Sequence, residues 1–294
     1  MNRKIIRIIL TSVLAAVFVV SVGMMIYDQI QYRKTLDATD EAARLAGLYT
    51  GTESRRPGAA SPTGNQPEGM APPMGNSLDA AGQPAEEPMP PEWYLLPEEA
   101  RGLVWLDLGA LRAVNKDVVG WISIPGTIVS YPLMQGKDNQ SYLRRNWKKE
   151  SVTSGSIFIE AECSRDLTDF HTIIYGHRMR NETMFGVLKY YSGSDYWREH
   201  PSVYIVLDDT IYRYDIFSVH QAALDSIVYR LDIEEKQLEE ELVQFCMDCS
   251  VLSTGLVPES GERILTLSTC TGDGYTKRWV VHGVLAREYS RTET

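Results

Sequence analysis

Arg263-Ile264-Leu265-Thr266-Leu267-Ser268-Thr269-Cys270 and Arg278-Trp279-Val280-Val281-His282-Gly283 are the two runs on which the reading of this chain turns. Successive side chains of a strand point to opposite faces. The first run therefore puts Thr266, Ser268 and Cys270 on one face and Leu265 and Leu267 on the other. Between the runs, Thr271 to Lys277 carries Gly272, Asp273 and Gly274 and reads as a turn-like loop. Paired as a hairpin, the two strands set Cys270 opposite Arg278 at the open end. A thiol becomes a strong nucleophile as thiolate, and a free cysteine is mostly protonated near neutral pH. A guanidinium stays charged and favours either the thiolate or a developing oxyanion. What such a pair lacks is a proton carrier, and histidine suits that task. Of the five histidines, His177 stands just past a strand end, after Ile173-Ile174-Tyr175-Gly176. Gly176 would permit an unusual backbone turn there. His282 lies mid-strand and reads as structural or as part of a rim. His171 starts the strand that His177 ends, while His200 and His220 have no clear context. Taken singly, a cysteine in a β-rich run is most often a small buried hydrophobe, and an arginine beside a turn is most often solvated. The combination carries the chemistry, and spacing alone leaves transpeptidase and cysteine protease both open.

Outward from this hairpin the texture stays β-rich. Short runs at Val118–Ile124, Ile128–Leu133, Ser156–Ile159, Thr172–Tyr175, Ser202–Val206 and Thr210–Val219 are punctuated by Gly, Pro, Asn or Asp, and Asp208-Asp209 suggests a hairpin. Many short strands with few long helices point to a β-barrel or sandwich. A helix precedes them, with Pro97 in its first turn and Leu103, Leu106, Ala110 and Val114 on one face. A second interrupts them. Asp232 and Glu235 form a capping-box pattern at its start, and Leu238, Leu242, Phe245 and Cys249 form its apolar stripe. Of the four cysteines, Cys246 and Cys249 make a C-x-x-C pair. It reads as two buried small hydrophobes, because no second pair or suitably spaced histidine completes a zinc site. Cys163 completes the set, too few for a disulfide scaffold in 294 residues.

The N-terminal part is of another kind. Ile8 to Tyr27 has no charged residue, long enough to cross a bilayer core. Arg3, Lys4 and Arg7 precede it, which keeps the N-terminus cytoplasmic and puts the remainder outside. A cleaved signal peptide is the competing reading, with Ser21-Val22-Gly23 as a weak cleavage site. The expected organisation is a cytoplasmic tip and transmembrane anchor over 1–28, a juxtamembrane stalk over 29–50, a disordered tether over 51–91 and a catalytic domain over 92–290. The tether is rich in Pro, Gly, Ala and Ser and cannot bury enough surface to offset its ordering entropy, so it holds the domain away from the membrane. A net charge of −10 repels phosphates and argues against nucleic-acid binding.

Thr266-Leu267-Ser268-Thr269-Cys270 resembles the sortase signature T-L-x-T-C. Arg278 matches the sortase arginine at the start of the next strand, and Tyr175-Gly176-His177 matches the histidine motif. The likeness spans roughly Asn115 to Leu285. Gly120-Trp121-Ile122-Ser123-Ile124, Tyr131-Pro132 and Asp138-Asn139, with the two helices, make it most similar to class B; the long tether departs from the family pattern. The resemblance implies a closed eight-stranded barrel on a single-pass membrane anchor, with the domain extracellular. It implies that Cys270 attacks the carbonyl after a threonine in the sorting motif of a surface protein. A thioacyl-enzyme forms, and an amine of a peptidoglycan precursor resolves it, anchoring the protein to the cell wall. His177 would move protons and Arg278 would hold substrate and the oxyanion. Asn139, Leu143 and Ser268 match groove positions, against the plainer readings of Asn139 as a turn residue and Leu143 as core. No cofactor and no metal, calcium included, is expected. A pilin-polymerising enzyme is a variant of this reading. An L,D-transpeptidase would carry its arginine two residues after the cysteine, where this chain has Gly272. A non-catalytic binding module would be indifferent to Cys270→Ala.

Overall fold

The computed structural model describes residues 3–48, 92–233, 235–271 and 276–291, with side chains from residue 13 onward. Its helices are α1 (Arg3–Leu45), α2 (Glu98–Arg101), α3 (Leu108–Val114), α4 (Ser194–Glu199) and α5 (Lys236–Cys249). Its strands are β1 (Val118–Ser123), β2 (Ser130–Met134), β3 (Ile157–Ile159), β4 (His171–Tyr175), β5 (Ser202–Val206), β6 (Thr210–Ala223), β7 (Ile264–Cys270) and β8 (Lys277–Ser290). They close into an eight-stranded barrel in the order β1-β2-β3-β4-β7-β8-β6-β5. Most pairs are antiparallel; β2–β3 and β4–β7 run parallel. The Asp208-Asp209 hairpin joins β5 to β6 as expected.

Alternation along the strands sorts side chains into an interior and two outer layers. Leu265, Leu267, Trp279 and Val281 face the interior with Ile122, Leu133, Ile174 and Ile205. On one outer side, α5 buries Leu242 and Cys246 against Phe217, Val280 and Val284. On the other, α1, α3 and the segment after Glu92 cover Trp121, Phe158, Tyr204 and Tyr289. The turn residues Gly272, Asp273 and Gly274, and the segment 51–91, lie outside the described residues.

Three local expectations are corrected. The helix expected from Pro97 to Val114 is broken into α2, a 3-10 turn over Gly102–Trp105 and α3. Asp107 starts a fresh helix by accepting from the Ala110 amide at 2.9 Å, and Val114 faces solvent. α5 begins at Lys236 without a side-chain cap, because Asp232 pairs with Arg230 instead. Cys249 is exposed in the last turn of α5, so only Cys246 of that pair is a buried hydrophobe.

The first helix is unbroken over 43 residues. Its side chains from Val13 to Ile30 are exposed all round, and this stretch is long and apolar enough to cross a membrane. From Gln31 onward one stripe is buried: Gln31, Thr35, Ala38, Ala42 and Ala46 recur at helical spacing and pack on the outer face of β2. Small alanines let the helix approach closely. Polar contacts then fix it: Trp147 Nε1 donates to Ala38 O at 2.7 Å, Thr35 and Ser154 hydroxyls meet at 2.7 Å, and Lys148 pairs with Glu41 at 2.6 Å.

Candidate active site

Cys270 and Arg278 are register partners at the open end of the β7–β8 ladder. Thr266 and Ser268 share the outer face with Cys270, as alternation requires. β4 runs parallel to β7 on the other side, with Tyr175 beside Ser268, so His177 emerges next to the end of the cysteine strand. Gly176 N donates to Ser268 O at 3.2 Å, and Phe185 N donates to His177 O at 3.0 Å, holding the histidine backbone on both sides. Gly176 is required here for space and not for a left-handed turn. A Cβ would stand 2.4 Å from Ile157 Cδ1 and 2.7 Å from the Phe185 ring.

His177, Cys270 and Arg278 line one open groove of about 580 Å³ together with Asn139, Leu143 and Ser268. His177 Nε2 lies 2.7 Å from Leu143 O. A carbonyl only accepts, so Nε2 must donate, and Nδ1 is the ring nitrogen left to exchange protons. Leu143 thus holds the histidine through its backbone while its side chain packs partly on the outer core. Ser268 is buried and meets the Tyr229 hydroxyl at 3.0 Å. Burial raises the pKa of that tyrosine, while the Ser268 hydrogen bond and the nearby Arg278 charge oppose the rise. Asn139 is tied at both ends of its amide: Nδ2 donates to Glu160 Oε1, and Oδ1 accepts from Ala161 N at 2.8 Å.

Sequence reasoning missed Glu160, Tyr175 as a groove wall, and Tyr229. Glu160 is buried in the groove wall, where its carboxylate accepts from Asn139 and from the Tyr175 hydroxyl at 2.8 Å. Strand alternation in Ile157-Phe158-Ile159-Glu160 was the available signal, since it sets Glu160 on the outer face with Phe158. Tyr229 sits in the β6–α5 connection, for which no motif speaks. The remaining thiols are differently placed. Burial pushes Cys163 up to about 11 and Cys246 further still, so neither supplies a thiolate. Among the described residues no cluster of His, Cys, Asp or Glu is arranged to hold a metal ion.

Three other histidines lie in the layer under α5. His171 Nε2 meets Thr266 Oγ1 at 2.7 Å, and Thr266 Oγ1 meets His282 Nδ1 at 2.9 Å. His282 stacks on His220 with ring centroids 4.9 Å apart. Desolvation pushes His171 and His220 down to about 4 and His282 well below its ordinary value, so all three are neutral. His282 is therefore structural, as its mid-strand position suggests. His200 caps the loop after β1, with Nδ1 2.9 Å from Pro125 O.

A cysteine, a histidine and an arginine lining one groove at the rim of a closed barrel fit the class of enzymes that use a cysteine nucleophile. A family model described as the sortase domain matches residues 122–286. The chain belongs to the sortase family of cysteine transpeptidases and is most like class B. Sortase B of Listeria monocytogenes is 36% identical over 181 residues, covering 61% of this chain and 74% of the relative. Sortase B of Staphylococcus aureus is 33% identical over 175 residues, covering 58% and 71%. Among solved structures, a Staphylococcus aureus sortase B–substrate complex superposes with a TM-score of 0.57 at 31% identity, covering 61% of this chain and 84% of that one. Clostridium perfringens sortase B gives 0.58 at 31% identity, covering 62% and 100%. These relatives support a transpeptidase role in cell-wall anchoring.

Proposed function

We propose that this protein cleaves a C-terminal sorting motif after threonine and transfers the acyl part to an amine of a peptidoglycan precursor on the outer side of the membrane. The observation that carries the reading is the register pairing of Cys270 with Arg278, beside the strand that delivers His177 to the same groove. A solved sortase B complexed with a glycine tripeptide supports an amine as acceptor. The thiolate of Cys270 adds to the threonine carbonyl, and the Arg278 guanidinium offsets the oxyanion. The C–N bond breaks as the imidazolium of His177 protonates the departing amine from Nδ1. The incoming amine attacks the thioester, loses a proton to Nδ1, and expels the thiolate, which restores both groups. Asn139, Leu143 and Ser268 line the path of the motif; Asn139 has one amide hydrogen left for a backbone carbonyl. Three cations before the apolar run support a cytoplasmic N-terminus and an extracytoplasmic groove.

Intact-mass spectrometry of the full-length protein in detergent, given N-P-x-T-type and L-P-x-T-G-type peptides with and without oligoglycine or diaminopimelate-type amines, tests this. The expected result is a thioacyl adduct lost in Cys270→Ala and an amide product that grows with amine. A folded protein whose Cys270 alkylates but which forms no adduct with any peptide refutes the motif chemistry. Hydrolysis unaffected by amine refutes the transfer.

A further inference from the structure

The docked half of α1 has a direction relative to the catalytic rim. Its C-terminal end lies at the end of the barrel away from the cysteine: Asp107 N donates to Ala46 O at 3.0 Å, and that region is tied through Val104 and Leu106 to Arg291, beside the β5–β6 turn. Its N-terminal docked turn lies at the catalytic end. Thr35 Oγ1 meets Ser154 Oγ, and Gly155 is so close to Leu143 that a Cβ would stand 2.6 Å from Leu143 O. That same carbonyl holds His177 Nε2. A short chain of contacts therefore runs from the anchoring helix to the histidine. The helix leaves the barrel at the catalytic end and continues unbroken into the apolar stretch.

From Thr35 back to Asp28, the charged residue that closes the apolar run, the helix rises about 10 Å at about 1.5 Å per residue. A headgroup layer takes up about 5–8 Å of each leaflet. The catalytic rim then stands at the outer edge of the headgroups. Charge agrees with this placement. The overall balance is −10, yet exposed Arg144 and Arg145 directly follow the groove residue Leu143, exposed Arg180 follows His177 by three residues, and none of the three is in an ion pair among the described residues. The catalytic end also holds Glu160 in the groove wall and Asp138 beside Asn139, while Glu239, Glu240 and Glu241 lie on α5 and Asp208 and Asp209 at the far turn. Cations of this kind are attracted to an anionic membrane surface.

We infer that α1 is a rigid mount that turns the catalytic end of the barrel toward an anionic bilayer, so that the groove opens onto the headgroup layer. This orientation goes beyond the transpeptidase reading, which leaves open the direction in which the groove faces. Leu48 and Trp93, on either side of 49–91, are buried in the same packed layer, so the docking of α1 on the barrel sets the height of the rim.

Full-length protein in anionic vesicles, with Cys249 and Cys270 replaced by alanine, carries a single fluorophore at Arg180→Cys or at Asp209→Cys, and lipids bearing a headgroup quencher are added. The expected result is several-fold stronger quenching at position 180 than at 209. Excising 55–85 leaves that contrast unchanged, and Ala42→Glu, which drives a carboxylate into the docking stripe, removes it while circular dichroism still reports a folded barrel. Equal quenching at both positions, stronger quenching at 209, or a contrast altered by the excision overturns the inference. An Ala42→Glu protein that keeps the contrast also overturns it. No readout depends on catalysis, so the mount and the transpeptidase reading fail separately.

Discussion

Replacing His220 by phenylalanine is expected to make the barrel less sensitive to acid. Neither ring nitrogen of His220 has a hydrogen-bond partner among the described residues, and the ring is packed between His282 and Phe245. Its folded pKa is pushed down to about 4 by burial, against about 6.5 in the unfolded chain. Above about pH 6.5 both states are neutral and the difference costs nothing. As pH falls from there toward 4 the unfolded chain takes up the proton first, and stability is lost through that window. At about pH 5 the loss works out at about 2 kcal/mol for this one group. His171, shifted equally, adds a like amount, against a total stability of about 5–15 kcal/mol for an ordinary domain. Urea unfolding of full-length protein in detergent, followed by tryptophan fluorescence at about pH 8 and pH 5, measures the loss for wild type and His220→Phe. The variant should lose about 2 kcal/mol less between the two conditions, whatever its absolute stability at the higher pH. Parallel losses in the two proteins would refute the reasoning, since a phenylalanine cannot titrate.

Three further outcomes follow from the site. Gly176→Ala forces a methyl group against Ile157 and Phe185 and should cost about 1–3 kcal/mol in urea unfolding while lowering turnover. Arg278→Lys keeps the charge but loses the planar fork, and kcat should fall about 10²–10³-fold in a peptide transfer assay. Glu160→Gln weakens the acceptor that orients Asn139 and Tyr175, and the KM for sorting-motif peptide should rise about 10-fold with kcat held within about twofold.

All eight strands were legible in the sequence because each is a short run of β-favouring residues, most of them bounded by turn residues. The pairing of Cys270 with Arg278 was legible for the same reason, since two strands joined by a short loop have few registers available. Helix starts were read less well. The Asp232–Glu235 pattern competes with an Arg230–Asp232 ion pair, and Asp107 ends one helix by beginning another. Local patterns of this kind are decided by whichever partner the fold brings near.

By itself, then, the amino-acid order determined the β-rich domain, the apolar N-terminal stretch and the three candidate residues of the chemistry, because these rest on local periodicity and on side-chain type. Only tertiary structure decided what surrounds them. Barrel closure placed β4 beside β7 across a long separation in sequence and so set His177 near Cys270. It buried Glu160 against Asn139 and Tyr175, and stacked His220 on His282 beneath α5. It also laid the alanine stripe of α1 on β2 with its exit at the catalytic end. Contacts between residues distant in the chain depend on the closure and shear of the whole barrel, and no short window of sequence contains them.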